Sequence, residues 1–151
     1  MVFDHDYKEF PELTNTQIAE FGFTSPHPQY IEDFEATVFK VYDGDTYRLE
    51  TKDRDFDFPL RLLDIDCKEM NDGGDEARDY VRGLILKENV TIKIDKKNRV
   101  GKYGRLLGRV LYGGIDVGQT LLRLGFAVKF ENRNQSKVID INKLFRPGKW
   151  F

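Results

Sequence analysis

The fold prediction rests on residues 36–51, which read ATVFKVYDGDTYRLET. Two runs rich in β-branched and aromatic residues, Ala36–Tyr42 and Tyr47–Thr51, flank Asp43-Gly44-Asp45-Thr46. An Asp-Gly pair between such runs is a strong hairpin signal. A third run of the same kind, Phe58–Ile65, follows closely, so we expect three adjacent strands that form a meander.

Downstream of the meander, the spacing of apolar residues alternates between helical and strand periods. The predicted elements are a helix over Asp75–Leu86, strands over Val90–Ile94 and Leu106–Tyr112, a helix over Val117–Leu124 with Gly125 at its end, a short strand over Phe126–Phe130 and a last helix over Ser136–Phe145. Five main strands with a helix between the third and fourth predict a mainly β, α+β fold. Its architecture would be a five-stranded Greek-key barrel of the OB type with two or three helices, and such barrels bind oligonucleotides across one face.

Charge is distributed unevenly along the chain and suggests three units, 1–34, 35–135 and 136–151. Residues 1–35 contain one lysine and eight acids, a balance of −7, whereas the other 116 residues carry 23 basic and 18 acidic groups, a balance of +5. An acidic extension before a basic body is typical of a domain that binds polyanions. We expect the extension either to fold back near the basic stretch Lys96–Arg109 or to dock on another subunit.

Several classes of protein are excluded by what the sequence lacks. No run approaches the roughly 18 apolar residues of a membrane helix, and the N-terminus does not resemble a secretory signal. The single Cys67 excludes an intramolecular disulfide framework and any cysteine-based zinc site. We therefore expect a cytoplasmic protein, or part of a larger particle, without a membrane partner.

Three polar clusters interrupt the apolar runs. They are Asp43-Gly44-Asp45-Thr46, the segment Arg61–Glu69 and Lys102-Tyr103-Gly104-Arg105. If the third strand is continuous, a period of two places Leu62 and Asp64 on one face and Arg61, Leu63 and Ile65 on the other.

The carboxylates and guanidiniums in these clusters match the needs of phosphodiester cleavage. Oxygen ligands such as Asp45, Asp66 and Glu69 suit a hard cation, Ca²⁺ or Mg²⁺, rather than zinc. Arg61 and Arg105 offer planar forks that fit two phosphate oxygens. Taken singly, Asp43-Gly44 and Tyr103-Gly104 are more often plain turns, and Arg61 with Asp64 or Asp66 is more often a surface ion pair.

In this order, the clusters resemble the staphylococcal-nuclease-like (thermonuclease) family over roughly residues 35–130. The matching blocks are Val41–Thr46, Arg61–Asp66, Glu69, Glu76-Ala77, Lys102–Arg105, Gly114–Val117 and Leu121–Ala127. The resemblance implies an OB-like barrel and a Ca²⁺-dependent endonuclease acting on DNA, RNA or both, with Mg²⁺ or Mn²⁺ as alternative ions.

The resemblance also implies roles for individual residues. Asp45 and Asp66 would bind the metal ion through their side chains and Cys67 through its backbone carbonyl, with Asp43 supporting them from behind. Glu69 would act as general base or orient the attacking water, and Arg61 and Arg105 would hold the phosphate. Additional candidates for phosphate or substrate binding are Lys68, Lys102 and Tyr103.

Departures from the family pattern keep two alternatives open. Cys67 and Lys68 stand where the family usually has a small residue and then proline, the segment Asn71–Gly74 is short, and the family's stacking tyrosines are replaced around Glu131 and Arg133. One alternative is a non-catalytic OB-fold module that binds nucleic acid or protein. The other is a structural subunit of a larger assembly, such as a phage virion, docked through residues 1–34 or 137–151.

Overall fold

The computed structural model describes residues 10–19, 25–67, 74–101 and 103–130. These residues contain eight strands and three helices. In chain order they are α1 (Asn15–Ala19), β1 (Phe34–Asp43), β2 (Thr46–Glu50), β3 (Phe58–Leu62), β4 (Ile65–Cys67), α2 (Gly74–Ile85), β5 (Asn89–Lys93), β6 (Leu106–Tyr112), β7 (Ile115–Asp116), α3 (Val117–Arg123) and β8 (Ala127–Lys129). The helix predicted over Ser136–Phe145 and the site candidates Lys68, Glu69 and Lys102 lie outside the described residues.

One mixed sheet closes on itself to form the barrel. β1 pairs antiparallel with both β2 and β5, β2 pairs with β3, and β5 pairs with β6. Parallel pairing of β3 with β6, with Leu60 opposite Leu106, completes the ring. The short β7 extends the β6 edge, and β4 pairs separately with β8. This barrel and its helices confirm the predicted OB-like α+β fold.

The core follows the strand period that the sequence predicts. Inward-facing side chains that are fully buried include Val38, Val41, Tyr47, Leu49, Phe58, Leu60, Ile92, Leu106 and Val110. Helix α2 packs its apolar stripe of Ala77, Val81 and Ile85 against this core and leaves Arg82 outside. Each large apolar side chain so buried contributes about 1.5–3 kcal/mol to folding.

The predicted end of the second long helix at Gly125 is confirmed, and side-chain caps are present at the starts of α1 and α3. The Thr14 hydroxyl accepts from the Gln17 amide at 3.1 Å while the Gln17 side chain accepts from the Thr14 amide at 2.9 Å, which is a capping box at α1. At α3, the Asp116 side chain caps the helix by accepting from the Gln119 amide, and Gly125 follows the last turn with φ of 79°.

The prediction of one continuous strand over Phe58–Ile65 is wrong. The chain leaves the sheet after Leu62, turns at Asp64 with φ of 62°, and starts β4 at Ile65. Two distant backbone groups hold the turn: the Leu63 amide donates to the Gly108 carbonyl, and the Asp64 carbonyl accepts from the Phe130 amide. The predicted grouping of Arg61, Leu63 and Ile65 on one strand face therefore fails.

The described part of the acidic extension packs on the barrel. Leu13 and Tyr30 are buried, and the Arg99 guanidinium donates to the carbonyls of both residues. The Asn15 side chain donates to the Lys96 carbonyl at 2.9 Å. For residues 10–19 and 25–33, these contacts agree with the prediction that the extension folds back near the basic stretch Lys96–Arg109. The boundaries of the three predicted units, at 34/35 and 135/136, stay predictions.

Candidate active site

The turn that joins β1 to β2 is fixed by packing on both sides of Gly44. This glycine does not have a positive φ; instead, a Cβ there would lie 2.6 Å from the Cys67 sulfur and 2.9 Å from the Ala77 Cβ. The hydroxyl of the fully buried Tyr47 donates to the Gly44 carbonyl at 2.6 Å. The turn is therefore held from inside the barrel and from α2 at the same time.

The Asp45 carboxylate ties this turn to β4. Its Oδ2 accepts from the Cys67 amide at 2.9 Å, and its Oδ1 accepts from the Thr46 hydroxyl at 3.2 Å. Asp43 lies beside it and accepts from the Asp45 amide at 3.1 Å. Burial and the adjacent Asp45 carboxylate raise the pKa of Asp43 to about 7. Two carboxyl groups are thus crowded into a largely dry turn.

Arg61 lies between the two carboxylates that the sequence predicts as metal ligands. Its Nη1 is 3.6 Å from Asp45 Oδ2, and its Nη2 is 3.4 Å from Asp66 Oδ1. Nη1 also donates to the carbonyls of Leu62 and Ile65, at 3.1 and 2.7 Å. Arg61 therefore brings Asp45 and Asp66 to one place and also holds the turn between β3 and β4.

The second predicted arginine reaches the same cluster. Arg105 has its guanidinium 5.7 Å from the centre of the Tyr103 ring. Burial lowers the pKa of Arg105 from its usual value, nearby Arg61 lowers it further, and the carboxylates of Asp45 and Asp43 oppose the shift. Among the described residues, none forms a hydrogen bond or an ion pair with this guanidinium. Within the described residues, its donors remain available for a ligand.

The oxygen donors present suit a hard cation in kind, although not in number. Asp45 and Asp66 supply carboxylate oxygens, and the Cys67 carbonyl is a neutral oxygen donor. A bound cation would also offset the repulsion between the Asp43 and Asp45 carboxylates, which contributes to the raised pKa of Asp43. Among the described residues, however, no group of three or more metal-binding side chains comes together. Ca²⁺ usually takes six to eight oxygen ligands, so water, substrate or Glu69 would have to complete the shell.

The Cys67 thiol is not a candidate nucleophile. It is half-buried against Gly44, and burial, helped by the Asp45 and Asp43 carboxylates, raises its pKa. A neutral thiol is a poor nucleophile. Its part in the site is to pack against the turn and to present its backbone.

A cavity of about 270 Å³ lies between the β3–β4 turn, α3 and β8. Asp64, Arg109, Asp116 and Lys129 contribute its polar lining. It includes neither of the arginines nor the carboxylates of the predicted site. We assign the chemistry to the carboxylate–arginine cluster because, among the described residues, the predicted groups converge there.

The role of Tyr47 was missed from the sequence. The available signal was its inward-facing position on β2, directly after the turn, because a buried tyrosine hydroxyl needs a hydrogen-bond partner. The Arg82 contact with the Val41 carbonyl, at 3.3 Å, was likewise not foreseen.

The sequence of this chain is similar to those of proteins named as nucleases. A family model described as Staphylococcal nuclease homologue covers residues 59–146, more than half of the chain. The chain is 34% identical over 98 residues to the probable endonuclease LCL3 of Yarrowia lipolytica, which covers 58% of this chain and 42% of that protein. It is 32% identical over 114 residues to the SPbeta prophage-derived endonuclease YokF of Bacillus subtilis, which covers 70% of this chain and 38% of that protein. The chain thus spans about two-fifths of the length of these curated relatives.

Proposed function

Because the chain belongs to the staphylococcal nuclease homologue family, we propose that it is a metal-dependent nuclease that hydrolyses phosphodiester bonds of nucleic acid. The observation that carries the proposal is the position of Arg61 between Asp45 and Asp66, with Arg105 close enough to interact electrostatically with the same group. The names of the two relatives as endonucleases support the same reaction class.

The two arginines would bind the scissile phosphate. Arg105 carries donors that no described residue occupies, so it is free to bind a phosphate oxygen on approach. Arg61 is already oriented by the carbonyls of Leu62 and Ile65, which reduces the reorganisation needed when charge develops in the transition state. Removing one such donor typically costs about 10²–10³ in rate.

Asp45, Asp66 and the Cys67 carbonyl would hold a divalent cation, for which we propose Ca²⁺. When bound, such an ion supplies Lewis-acid stabilisation of a phosphoryl oxygen. Asp43 would orient the turn by accepting from the Asp45 amide. Glu69, which lies outside the described residues, would remove the proton from the attacking water.

Cleavage assays with matched variants test this proposal. Purified protein is incubated with labelled DNA and RNA, single-stranded and duplex, in Ca²⁺, Mg²⁺, Mn²⁺ or EDTA. We expect cleavage with a divalent ion, a loss of about 10²–10³-fold in Arg105→Ala, and no change in the control Arg109→Ala, an exposed arginine on β6. Glu69→Gln should abolish turnover while nucleic-acid affinity is kept. Absence of cleavage with all three ions would refute the proposal.

One observation favours a second candidate, a non-catalytic binding module. Among the described residues no group of three metal-binding side chains is present, and Arg61 already neutralises Asp45 and Asp66 in part. Calorimetric titration with Ca²⁺ distinguishes the two candidates. The nuclease should bind the ion, and Asp45→Asn should lose that binding, whereas the binding module should retain nucleic acid with no ion at all.

A further inference from the structure

Two irregularities in β1 carry an exposed aromatic residue each. The register with β2 shifts between Val38 and Lys40 and again between Val41 and Asp43, so that Phe39 and Tyr42 are the extra residues of two β-bulges. Phe39 is 37% exposed and Tyr42 is 44% exposed. Bulges re-aim side chains and are over-represented next to active sites, and here the second bulge directly precedes the turn that contains Asp45.

Each of the two rings has a lysine ammonium over its face. Lys87 Nζ is 4.3 Å from the centre of the Phe39 ring, and Lys40 Nζ is 4.6 Å from the centre of the Tyr42 ring. Neither ammonium forms an ion pair with an acid among the described residues. The two positive charges are therefore not neutralised by any described neighbour.

A third cation contacts the backbone of the residue before Tyr42. Arg82 of α2 donates to the Val41 carbonyl, and its other terminal nitrogen is 3.9 Å from Asp79. Its side chain is 43% exposed. We call this surface the bulged edge; it comprises Phe39, Lys40, Tyr42, Arg82 and Lys87. Within the described residues it combines three cations and two accessible rings with one acid in ion-pair range.

We propose that the bulged edge binds single-stranded nucleic acid and leads it to the carboxylate–arginine cluster. Its ammonium and guanidinium groups suit backbone phosphates, and its rings suit unpaired bases, which stack on aromatic side chains whatever their sequence. The bases of a duplex are already stacked on one another and cannot use the rings without unpairing. The inference rests on the proposed function, because it names the form of the substrate.

Binding measured without turnover tests the inference separately from catalysis. Fluorescence anisotropy in EDTA compares a labelled oligothymidylate with a duplex of equal length. We expect the wild-type protein to prefer the single strand, and Phe39→Ser/Tyr42→Ser to weaken that binding by about 10-fold or more. The control Ile115→Ser/Leu124→Ser, which changes two other exposed apolar residues, should bind like the wild type. If the serine variant misfolds, Phe39→Leu/Tyr42→Leu keeps apolar volume and removes the rings.

The salt dependence tests the cations. Lys40→Gln/Lys87→Gln should reduce the slope of log affinity against log salt by about 1.4, since each phosphate contact on a single strand contributes about 0.7. Equal binding of single strand and duplex, or unchanged affinity in the ring variants, would overturn the inference. The inference would also be overturned if polyaspartate displaced the labelled oligothymidylate as well as unlabelled oligothymidylate does, because that result would indicate an acidic protein partner.

Failure of this inference and failure of the proposed function give different results. If the wild type cleaves nucleic acid and the ring variants bind normally, the proposed nuclease function stands and the inference about the bulged edge is wrong. If the ring variants bind more weakly and the wild type shows no cleavage with any divalent ion, the inference about the bulged edge stands and the proposed nuclease function is wrong.

Discussion

Replacing Glu12 by glutamine should destabilise the whole domain, although this residue lies in the acidic extension. Glu12 makes a two-pronged ion pair with Arg54, at 2.5 and 3.1 Å, and the two side chains are 1% and 0% exposed. The Arg54 guanidinium is 4.5 Å from the centre of the Tyr30 ring and 4.4 Å from that of Phe58. The glutamine keeps the volume of Glu12 but removes its charge.

The size of the expected loss in unfolding free energy follows from the positive charges that remain buried in Glu12→Gln. Arg99 is a second buried guanidinium nearby; burial lowers its pKa, the Glu12 carboxylate opposes that shift and Arg54 adds to it. Without Glu12, Arg54 loses the carboxylate of its ion pair, and Arg99 loses the negative charge that opposes the lowering of its pKa. Breaking a buried pair by removing one partner costs about 3–5 kcal/mol, against a total of about 5–15 kcal/mol for a typical domain.

Urea unfolding followed by circular dichroism at pH 7 measures the effect. We expect Glu12→Gln to lose about 3–5 kcal/mol of unfolding free energy with an unchanged m-value. Glu12→Gln/Arg54→Met should recover most of the loss, because both charges are then absent. The control Glu32→Gln breaks an exposed pair with Lys96, at 3.8 Å, and should cost less than about 0.5 kcal/mol.

A loss below about 1 kcal/mol in Glu12→Gln, or a loss that the double variant does not recover, would refute the reasoning. The first result would mean that the extension is not part of the cooperative unit. The same logic predicts that deleting residues 1–34 unfolds the domain instead of releasing a tail, since the deletion removes Leu13, Tyr30 and Glu12 together.

Three further predictions concern the turn and the junction with β5. Tyr47→Phe removes the hydroxyl that holds the Gly44 carbonyl, so calorimetry should show weaker Ca²⁺ binding than in Tyr30→Phe, which loses a part-buried hydroxyl contact with Thr51 away from the turn. Equal Ca²⁺ affinities of the two variants would contradict the positioning role of Tyr47. Gly44→Ala should lower the unfolding free energy by about 1–3 kcal/mol through overpacking, and an unchanged melting curve would show that the turn can shift freely. The Ile94 amide donates to Asp33 and lowers the pKa of this carboxyl group. The Asp33 carboxylate therefore contributes stability above its unfolded-state pKa of 3.8, and this contribution is lost as the pH falls through the lower folded-state pKa. Acid titration of unfolding should show a shallower fall in Asp33→Asn, and identical profiles would exclude this contribution.

The sequence determined the features whose causes lie within a few residues. The Asp-Gly hairpin, the apolar stripe of α2 and the capping box of Thr14 and Gln17 all depend on neighbours in the chain, and all three are present. The order of the polar clusters also indicated the family, because motif spacing is itself a property of the sequence. In the structure, Arg61 brings Asp45 and Asp66 together, while Glu69 lies outside the described residues.

Tertiary structure decided the features that depend on distant partners. The break after Leu62 requires the Gly108 carbonyl and the Phe130 amide, neither of which a local period of two can indicate. Arg54 reaches Glu12 across 42 positions and Arg99 reaches Leu13 across 86, so their burial could not be deduced from a charge count. Local periodicity reports which face of an element is apolar, whereas the partner of a buried charge or of an irregular backbone is chosen only when the barrel closes.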